Sequence, residues 1–256
     1  MKSNTEYKNA ALAALKGNWA KALLATVVVA AITYLCIGPY MYNTVKVQSY
    51  VQENVGSVSS SGGLLSVFTQ SMNRAMALAQ DSEYMALQQK ASRTMSLYYL
   101  LLITVILPMT LGFANAFRRL LVAGENDVLG NTFRIATTKY WHKVWSMLLM
   151  ELFIILWSLL FIIPGIIKAF SYAMTPYIVE ENPDLSANEA IDRSRAMMKG
   201  HKFDLFWLLL SFIGWGILCL FTFGIGFLWL APYVNTSLAA FYEDVKADYE
   251  LNGGLI

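Results

Sequence analysis

The stretch SMLLMELFIILWSLLFIIPGIIKAFSYAMTPYIV, residues 146–179, is almost entirely apolar and is interrupted by Pro164-Gly165. A helix needs about 20 mostly apolar residues to cross the hydrocarbon core of a membrane. The stretch is therefore long enough for two short spans that Pro-Gly separates, and we predict them at 144–163 and 165–179. Because each half is close to the minimum length, a re-entrant hairpin that does not cross fully is the alternative.

Four further apolar runs have the length of a membrane span: 22–42, 97–117, 205–221 and 225–242. The last two are divided by TFGIG, where Gly224 and Gly226 permit a tight turn. The pattern predicts an all-α, polytopic transmembrane helical bundle of about six spans. We predict that residues 1–256 form a single integral membrane domain.

The composition agrees with a membrane protein rather than a large soluble one. Of the 256 residues, 57% are hydrophobic and 14% are charged, whereas a soluble domain carries about 25% charged residues. The charges lie mainly between the apolar runs, and the net charge is only +2. We therefore expect membrane lipid as a partner and no binding to nucleic acid.

Lysine and arginine are concentrated in alternate segments between the runs, as expected when cytoplasmic loops carry the positive charge. Most of the 19 basic residues lie on one side of the predicted membrane, in 1–21, 118–143, 180–204 and the tail. This distribution predicts cytoplasmic N- and C-termini. It also makes 43–96 an extracytoplasmic insertion, which we expect to be a surface loop with a helical arm or, alternatively, a partner-docking arm.

Short helices outside the membrane precede the predicted hairpins of spans. In NPDLSANEAIDRSRAMMKGHKF, Ser186 and Glu189 form the S-x-x-E pattern of a capping box, and Gly200 is a typical helix stop. The segment ALKGNWAKAL near the N-terminus follows the same plan, and TFRIATTKYWHKVWSMLL is a weaker copy without the glycine. We predict three repeats of an amphipathic surface helix plus a transmembrane hairpin: 4–117, 126–179 and 186–242.

The sequence contains no recognisable catalytic or metal-binding pattern. Its two histidines, His142 and His201, each lie just before a predicted span and have no metal-ligand partner at helical spacing. We expect both to lie at the membrane interface. Cys36 and Cys219 fall far apart within apolar runs, which fits neither a disulfide framework nor a metal site. We therefore predict no cofactor, no metal and no enzymatic activity.

Two ionisable residues, Glu151 and Lys168, fall inside predicted spans, where such residues are costly and often functional. Glu151 is either satisfied by a neighbouring span or part of an intramembrane polar site with Asn115 and Asn235. Lys168 is only four residues past the Pro-Gly interruption, so its long side chain can reach the interface. We predict Lys168 and Tyr172 as interfacial anchors.

Long ordered motifs carry a resemblance to a known family. The segments 156–218 and 221–245, together with KGNW at 16–19, resemble the bacterial membrane-protein family called domain of unknown function 975. The polar segment 43–96 departs from the pattern of that family. The resemblance implies a multi-pass protein of the bacterial cytoplasmic membrane and brings no established biochemical activity.

Three classes of function fit these features to different degrees. A non-enzymatic module that binds membrane lipid, a protein partner or a second copy of itself is the preferred hypothesis. A transporter or exporter component with a polar site around Glu151 is the alternative, because the interrupted spans are typical of transporters. A membrane enzyme is the third, and it lacks a nucleophile or metal set.

Overall fold

A computed structural model describes residues 2–55, 64–137 and 139–252 of the chain. The described residues are 88% helical and contain no β-strand, which confirms the all-α prediction. Among these described residues, the helical segments that are long and apolar enough to cross a membrane number five: Trp19–Asn54, Ser82–Ala123, Tyr140–Leu160, Ile162–Glu181 and Lys202–Phe221.

The described helices are numbered in chain order. They are α1 (Asn4–Leu15), α2 (Trp19–Val55), α3 (Leu64–Gln80), α4 (Ser82–Leu101), α5 (Leu107–Ala123), α6 (Val128–Phe133), α7 (Tyr140–Leu160), α8 (Ile162–Tyr172), α9 (Thr175–Glu181), α10 (Ala187–Met197), α11 (Lys202–Phe221) and α12 (Phe227–Leu251). A π-helical turn, Leu102–Ile106, precedes α5, and a 3₁₀ turn, Arg134–Thr137, follows α6.

The chain divides into two compact units. The first unit comprises Met1–Ala30 and Ile103–Ile256, and the second comprises Ala31–Leu102. In the second unit the ring of Tyr40 stacks on that of Tyr98, with centroids 5.6 Å apart. The predicted insertion 43–96 falls within this second unit, and its residues 56–63 lie outside the described part of the chain. Its location on the extracytoplasmic side stays a prediction.

Four of the six predicted spans fall within helices of sufficient length and apolar character. The predicted span 144–163 extends three residues past the end of α7 at Leu160, and the predicted span 225–242 differs. The predicted span 225–242 belongs to α12, which is helical but is not among the five membrane-length apolar helices. The reason lies in its composition, because α12 carries polar residues at 235–237 and charged residues from Glu243 onward.

The central hairpin turns earlier than the sequence suggested. α7 ends at Leu160, Phe161 is extended with φ −156°, and α8 begins at Ile162. Pro164 then lies in the first helical turn, where a backbone N–H has no intrahelical partner to lose. A Cβ on Gly165 would lie 2.2 Å from Ser158 Oγ. Only glycine at this position therefore permits the close approach of α7 and α8. The predicted break at Pro164-Gly165 was therefore wrong, because the helices separate at Phe161, three residues earlier.

The predicted repeat has a common backbone signature in the structure. One residue with a left-handed backbone lies shortly before each of α2, α7 and α11. Gly17 (φ 81°) and Gly200 (φ 96°) lie two residues before α2 and α11, and Lys139 (φ 43°) lies directly before α7. Lys139 therefore adopts the conformation that glycine adopts in the other two copies. In addition, α1 and α10 both begin with a complete capping box. The organisation in three helix-plus-hairpin units stays a prediction.

The core of the first unit lies where α1 and α10 pack beside the ends of longer helices. Tyr7 of α1 packs edge-on against Phe241 of α12, with ring centroids 5.5 Å apart. The buried residues of α10 are Ala187, Ala190, Ile191, Ser194 and Met197. By contrast, apolar side chains such as Leu159 and Phe221 are exposed, at 83% and 79%. Such outward-facing apolar surface is expected where helices face lipid.

Candidate functional site

Charged residues follow the apolar part of three helices in the first unit. α5 carries Arg118 and Arg119, α9 ends with Glu180 and Glu181, and α12 carries Glu243. The structure brings these helix ends together with a lysine of α7. We define the charge cluster by its members: Arg118, Arg119, Lys143, Glu180, Glu181, Tyr242, Glu243 and Lys246.

Glu181 is the centre of one half of the charge cluster. Its carboxylate pairs with Arg118 and accepts a hydrogen bond from the hydroxyl of Tyr242. Lys246 Nζ lies 2.7 Å from Glu181 Oε1. Arg118 also reaches Glu243, with Nε 2.5 Å from Oε1. The side chain of Glu181 is only 16% exposed, so its charge depends on these cations and donors for stabilisation.

Glu180 is the centre of the other half. Arg119 Nη2 donates to Glu180 Oε1 at 3.2 Å, and Lys143 Nζ lies 2.7 Å from Glu180 Oε2. The side chain of Lys143 is 1% exposed, and a lysine is buried to that extent only when its charge is compensated. All three carboxylates of the cluster are thus engaged by cations. The arrangement is suited to holding α5, α7, α9 and α12 together, not to transferring a proton.

The charge cluster was not among the sequence predictions, although the sequence contains a signal for it. Each of three apolar runs is followed directly by a charged pair: FRR at 117–119, VEE at 179–181 and YED at 242–244. The charge distribution put these pairs on one side of the predicted membrane. The pairing of arginines with glutamates more than 60 residues away is a tertiary feature that helical periodicity does not report.

A further polar contact attaches α1 to α12. The Tyr7 hydroxyl donates to Asp244 Oδ2 at 2.6 Å, and the Lys2 amide donates to the same oxygen at 2.8 Å. Burial and the adjacent Asp244 carboxylate raise the pKa of Tyr7. Burial alone would raise the pKa of Asp244, but the hydrogen bonds from Tyr7 and Lys2 outweigh it and hold this pKa below its ordinary value.

The three residues of the predicted intramembrane polar site do not bond to one another. Asn115 is buried, and its amide donates to the carbonyls of Leu111 at 3.0 Å and Pro176 at 3.1 Å. The amide of Asn235 donates to its own helix, at Ala231 O. Glu151 is half-buried on α7 and has no hydrogen-bond or ion-pair partner among the residues that the structure describes. A shared polar site around Glu151 stays a prediction.

The predicted anchors Lys168 and Tyr172 lie beside α10 rather than at a bare turn. Lys168 Nζ lies 4.5 Å from the ring centroid of Trp157 and 5.9 Å from that of Tyr172. A cavity of about 250 Å³ places these side chains next to Asp192 and Arg195 of α10. The charge distribution predicted Lys168 and the segment 180–204 on opposite sides of the membrane. The structure instead brings Lys168 next to α10, because α10 packs beside α8, where Ser194 donates to the carbonyl of Ser171.

The two histidines differ in their surroundings. His201 Nε2 lies 3.1 Å from Asp248 Oδ2, and His201 Nδ1 lies 3.5 Å from Asp204 Oδ2. His201 therefore links the start of α11 to α12. His142, by contrast, is half-buried at the start of α7, and its Nδ1 has no partner within the described part of the chain. The location of either residue at the membrane interface stays a prediction.

Ser186 and Glu189 form the capping box at the start of α10. The Ser186 amide donates to Glu189 Oε2 at 2.7 Å, and the Glu189 amide donates to Ser186 Oγ at 3.3 Å. Hydrogen bonding of the Glu189 carboxylate to the side chain and the backbone amide of Ser186 holds the pKa of Glu189 below its ordinary value. The box fixes where α10 begins and so helps to position Asp192 and Arg195 beside Lys168.

An apolar groove of about 490 Å³ lies between α1 and the α11–α12 hairpin. We call it the α11–α12 groove. Its lining residues are Leu12, Trp215, Leu218, Cys219, Thr222, Gly226, Trp229, Leu230 and Tyr233. Within 2–55, 64–137 and 139–252, no group of three His, Cys, Asp or Glu side chains is placed to hold a metal ion.

Comparison with known proteins gives one result. A family model described as protein of unknown function (DUF975) matches residues 1–249. This range includes the polar segment 43–96. The comparisons with curated proteins and with solved structures found no match.

Proposed function

We propose that this chain, which belongs to the domain of unknown function 975 family, is a non-enzymatic module of the bacterial cytoplasmic membrane that binds membrane lipid. Several helices of membrane length support the general placement in a membrane. In this proposal both termini and the charge cluster face the cytoplasm, which the distribution of lysine and arginine supports.

The α11–α12 groove is the observation that carries the proposal. Its volume of about 490 Å³ and its apolar walls are typical of sites that hold small apolar ligands. The two indole rings, Trp215 and Trp229, line it and belong to helices with many outward-facing apolar side chains. An acyl chain in the groove would gain dispersion contacts along its whole length.

A cation one helical turn away from a lining residue favours a lipid over a purely apolar ligand. Lys8 lies one helical turn before Leu12, which lines the groove. Its ammonium group lies 4.5 Å from the ring centroid of Phe212 and donates to the carbonyl of Ser211 at 3.1 Å. The side chain therefore presents positive charge close to apolar walls, as the head and chain of a phospholipid require.

The test is the amount of phospholipid that stays bound to the full chain after detergent purification, measured by native mass spectrometry. Leu218→Trp places a larger side chain in the groove, and we expect it to reduce bound phospholipid at least fivefold. Ile217→Trp is the matched control, because Ile217 is similarly exposed on the same helix, 52% against 56%, but does not line the groove. Equal retention by both variants, or no lipid on the wild-type chain, would refute the proposal.

A transporter component is the second candidate, and one observation favours it. Glu151 lies within a membrane-length helix and has no described hydrogen-bond or ion-pair partner, and an ionisable group there is often part of a proton or ion path. Under conditions where deletion of the gene impairs growth, Glu151→Gln should reproduce the defect if Glu151 couples protons. Glu250→Gln, at an exposed position of α12, is the control. Normal growth of the Glu151→Gln strain excludes this candidate.

A further inference from the structure

Lys168 lies in a cavity that is distinct from both the charge cluster and the α11–α12 groove. We call it the Lys168 pocket. It has a volume of about 250 Å³, and its lining residues are Phe153, Trp157, Lys168, Tyr172, Asn188, Ile191, Asp192 and Arg195. Three helices, α7, α8 and α10, contribute to it.

The charges of the Lys168 pocket do not balance. Arg195 pairs with Asp192, with Nη2 3.0 Å from Oδ1. Lys168 has no carboxylate within ion-pair distance in the part of the chain that the structure describes, and its ammonium group faces the rings of Trp157 and Tyr172. Two cations and one carboxylate leave the pocket with one excess positive charge. Within a membrane-length helix such a charge is costly unless an anion compensates it.

The donors that remain in the pocket suit a phosphate group. A lysine ammonium has three N–H donors and an arginine guanidinium has five, so Asp192 occupies only part of what Lys168 and Arg195 offer. Charge-assisted hydrogen bonds from arginine and lysine to phosphate are among the stronger polar contacts in proteins. The amide of Asn188 is a further polar group on the lining.

The remaining walls favour a phosphate that is attached to an apolar body. Phe153 and Trp157 contribute aromatic surface, and Ile191 contributes aliphatic surface. A site with basic residues between membrane helices and apolar surface beside them is the arrangement that binds anionic lipid headgroups.

From this geometry we propose that the Lys168 pocket binds the phosphate headgroup of an anionic phospholipid, with Lys168 and Arg195 as the phosphate-binding residues. The inference rests on the proposed lipid-binding function and adds a headgroup class and a second location to it. It also gives Lys168 a role at the pocket instead of one as a simple anchor.

The inference is tested with the full chain in detergent, delipidated and titrated with phosphatidylglycerol or with phosphatidylcholine of the same acyl chains. Binding is followed by native mass spectrometry. We expect wild-type protein to bind phosphatidylglycerol about tenfold more tightly, a difference that corresponds to about 1.4 kcal/mol. Lys168→Met should weaken phosphatidylglycerol binding more than phosphatidylcholine binding and so remove this preference, because the choline cation of phosphatidylcholine already opposes the excess positive charge of the pocket.

Two further variants keep the test interpretable. Arg195→Gln changes a side chain that is 55% exposed, so it should fold normally and also weaken phosphatidylglycerol binding. Lys199→Met removes a charge from an exposed position just past the end of the same helix, outside the pocket lining, and should bind like wild type. The inference is wrong if Lys168→Met and Arg195→Gln both bind phosphatidylglycerol like Lys199→Met.

The remaining outcomes separate the pocket from the proposed function. If wild-type protein retains lipid but shows no preference for phosphatidylglycerol, the headgroup assignment fails and the proposed function stands. If wild-type protein retains no lipid at all, both fail. If millimolar inorganic phosphate displaces phosphatidylglycerol and binds equally well, the pocket takes free phosphate, and its assignment to lipid is overturned.

Discussion

Substitution of Glu181 by glutamine tests whether the charge cluster holds the helix ends together. The wild-type carboxylate is engaged by Arg118, Lys246 and Tyr242. Glutamine has nearly the same shape but no charge, so it leaves partly buried cations without their counter-ion. Breaking a buried ion pair costs about 3–5 kcal/mol. Arg118 keeps Glu243, and the side chains are 14–29% exposed, so we expect about 3 kcal/mol for Glu181→Gln.

The expected loss converts into a measurable change in thermal stability. For a chain of this size 1 kcal/mol shifts Tm by about 2–4 °C, so Glu181→Gln should lower Tm by about 6–12 °C. The assay is thermal unfolding of the full chain in a mild detergent, followed by circular dichroism or by dye labelling of exposed cysteine. Glu250→Gln removes the same charge from an exposed position of α12 and should change the free energy of unfolding by less than about 0.5 kcal/mol.

A double-mutant cycle identifies the contact responsible. If Lys246 depends on Glu181 for its counter-ion, then Lys246→Met combined with Glu181→Gln should cost clearly less than the sum of the single changes. A Tm for Glu181→Gln within 2 °C of wild type (roughly the shift for 1 kcal/mol), or full additivity in the cycle, would refute the role assigned to the charge cluster.

Three further predictions concern local packing and caps. Gly165→Ala should destabilise the protein by about 1–3 kcal/mol in the same unfolding assay, because its new methyl group collides with α7; unchanged stability would contradict the close approach of α7 and α8. The lowered pKa of Asp244 means that its contribution to stability is present above about pH 4 and is lost as pH falls through its folded-state pKa. Tyr7→Phe should therefore lower Tm at pH 7 by more than at pH 3, and an equal loss at both would contradict this. Ser186→Ala should cost about 1 kcal/mol through loss of the cap of α10, whereas the same change at Ser96, which is exposed, should cost little.

The sequence was sufficient for the features that depend on local pattern. The length of the apolar runs predicted the helices of membrane size, and the spacing of Ser186 from Glu189 predicted a cap that depends on only four residues. The common plan of the N-terminal and third copies was visible in Lys-Gly. In the second copy, however, the left-handed residue is Lys139. Because lysine, unlike glycine, has no preference for this conformation, the sequence did not predict it.

Features that depend on tertiary packing were out of reach. The contacts of Glu181 join α9 to residues 61–65 positions away along the chain. From charge alone, any of several arginines and lysines could have been predicted as the partner of Glu181. The Lys168 pocket depends on α10 packing beside α8. Ser194 of α10 donates to the carbonyl of Ser171 at 3.0 Å, close to where α8 ends. The distribution of lysine and arginine assigned 180–204 to the opposite side of the predicted membrane from Lys168, and so separated Lys168 from Arg195.

The central claim, that this membrane protein binds lipid in the α11–α12 groove, is tested most directly by a structure of the full chain in lipid that carries brominated acyl chains. The bromine signal reports the position of the chain independently of the protein density. The proposed function predicts bromine between Trp215 and Trp229, within the groove that Leu12 helps to line. Bromine distributed around the helices with none in the groove, or a groove filled by a side chain of the protein, would contradict it.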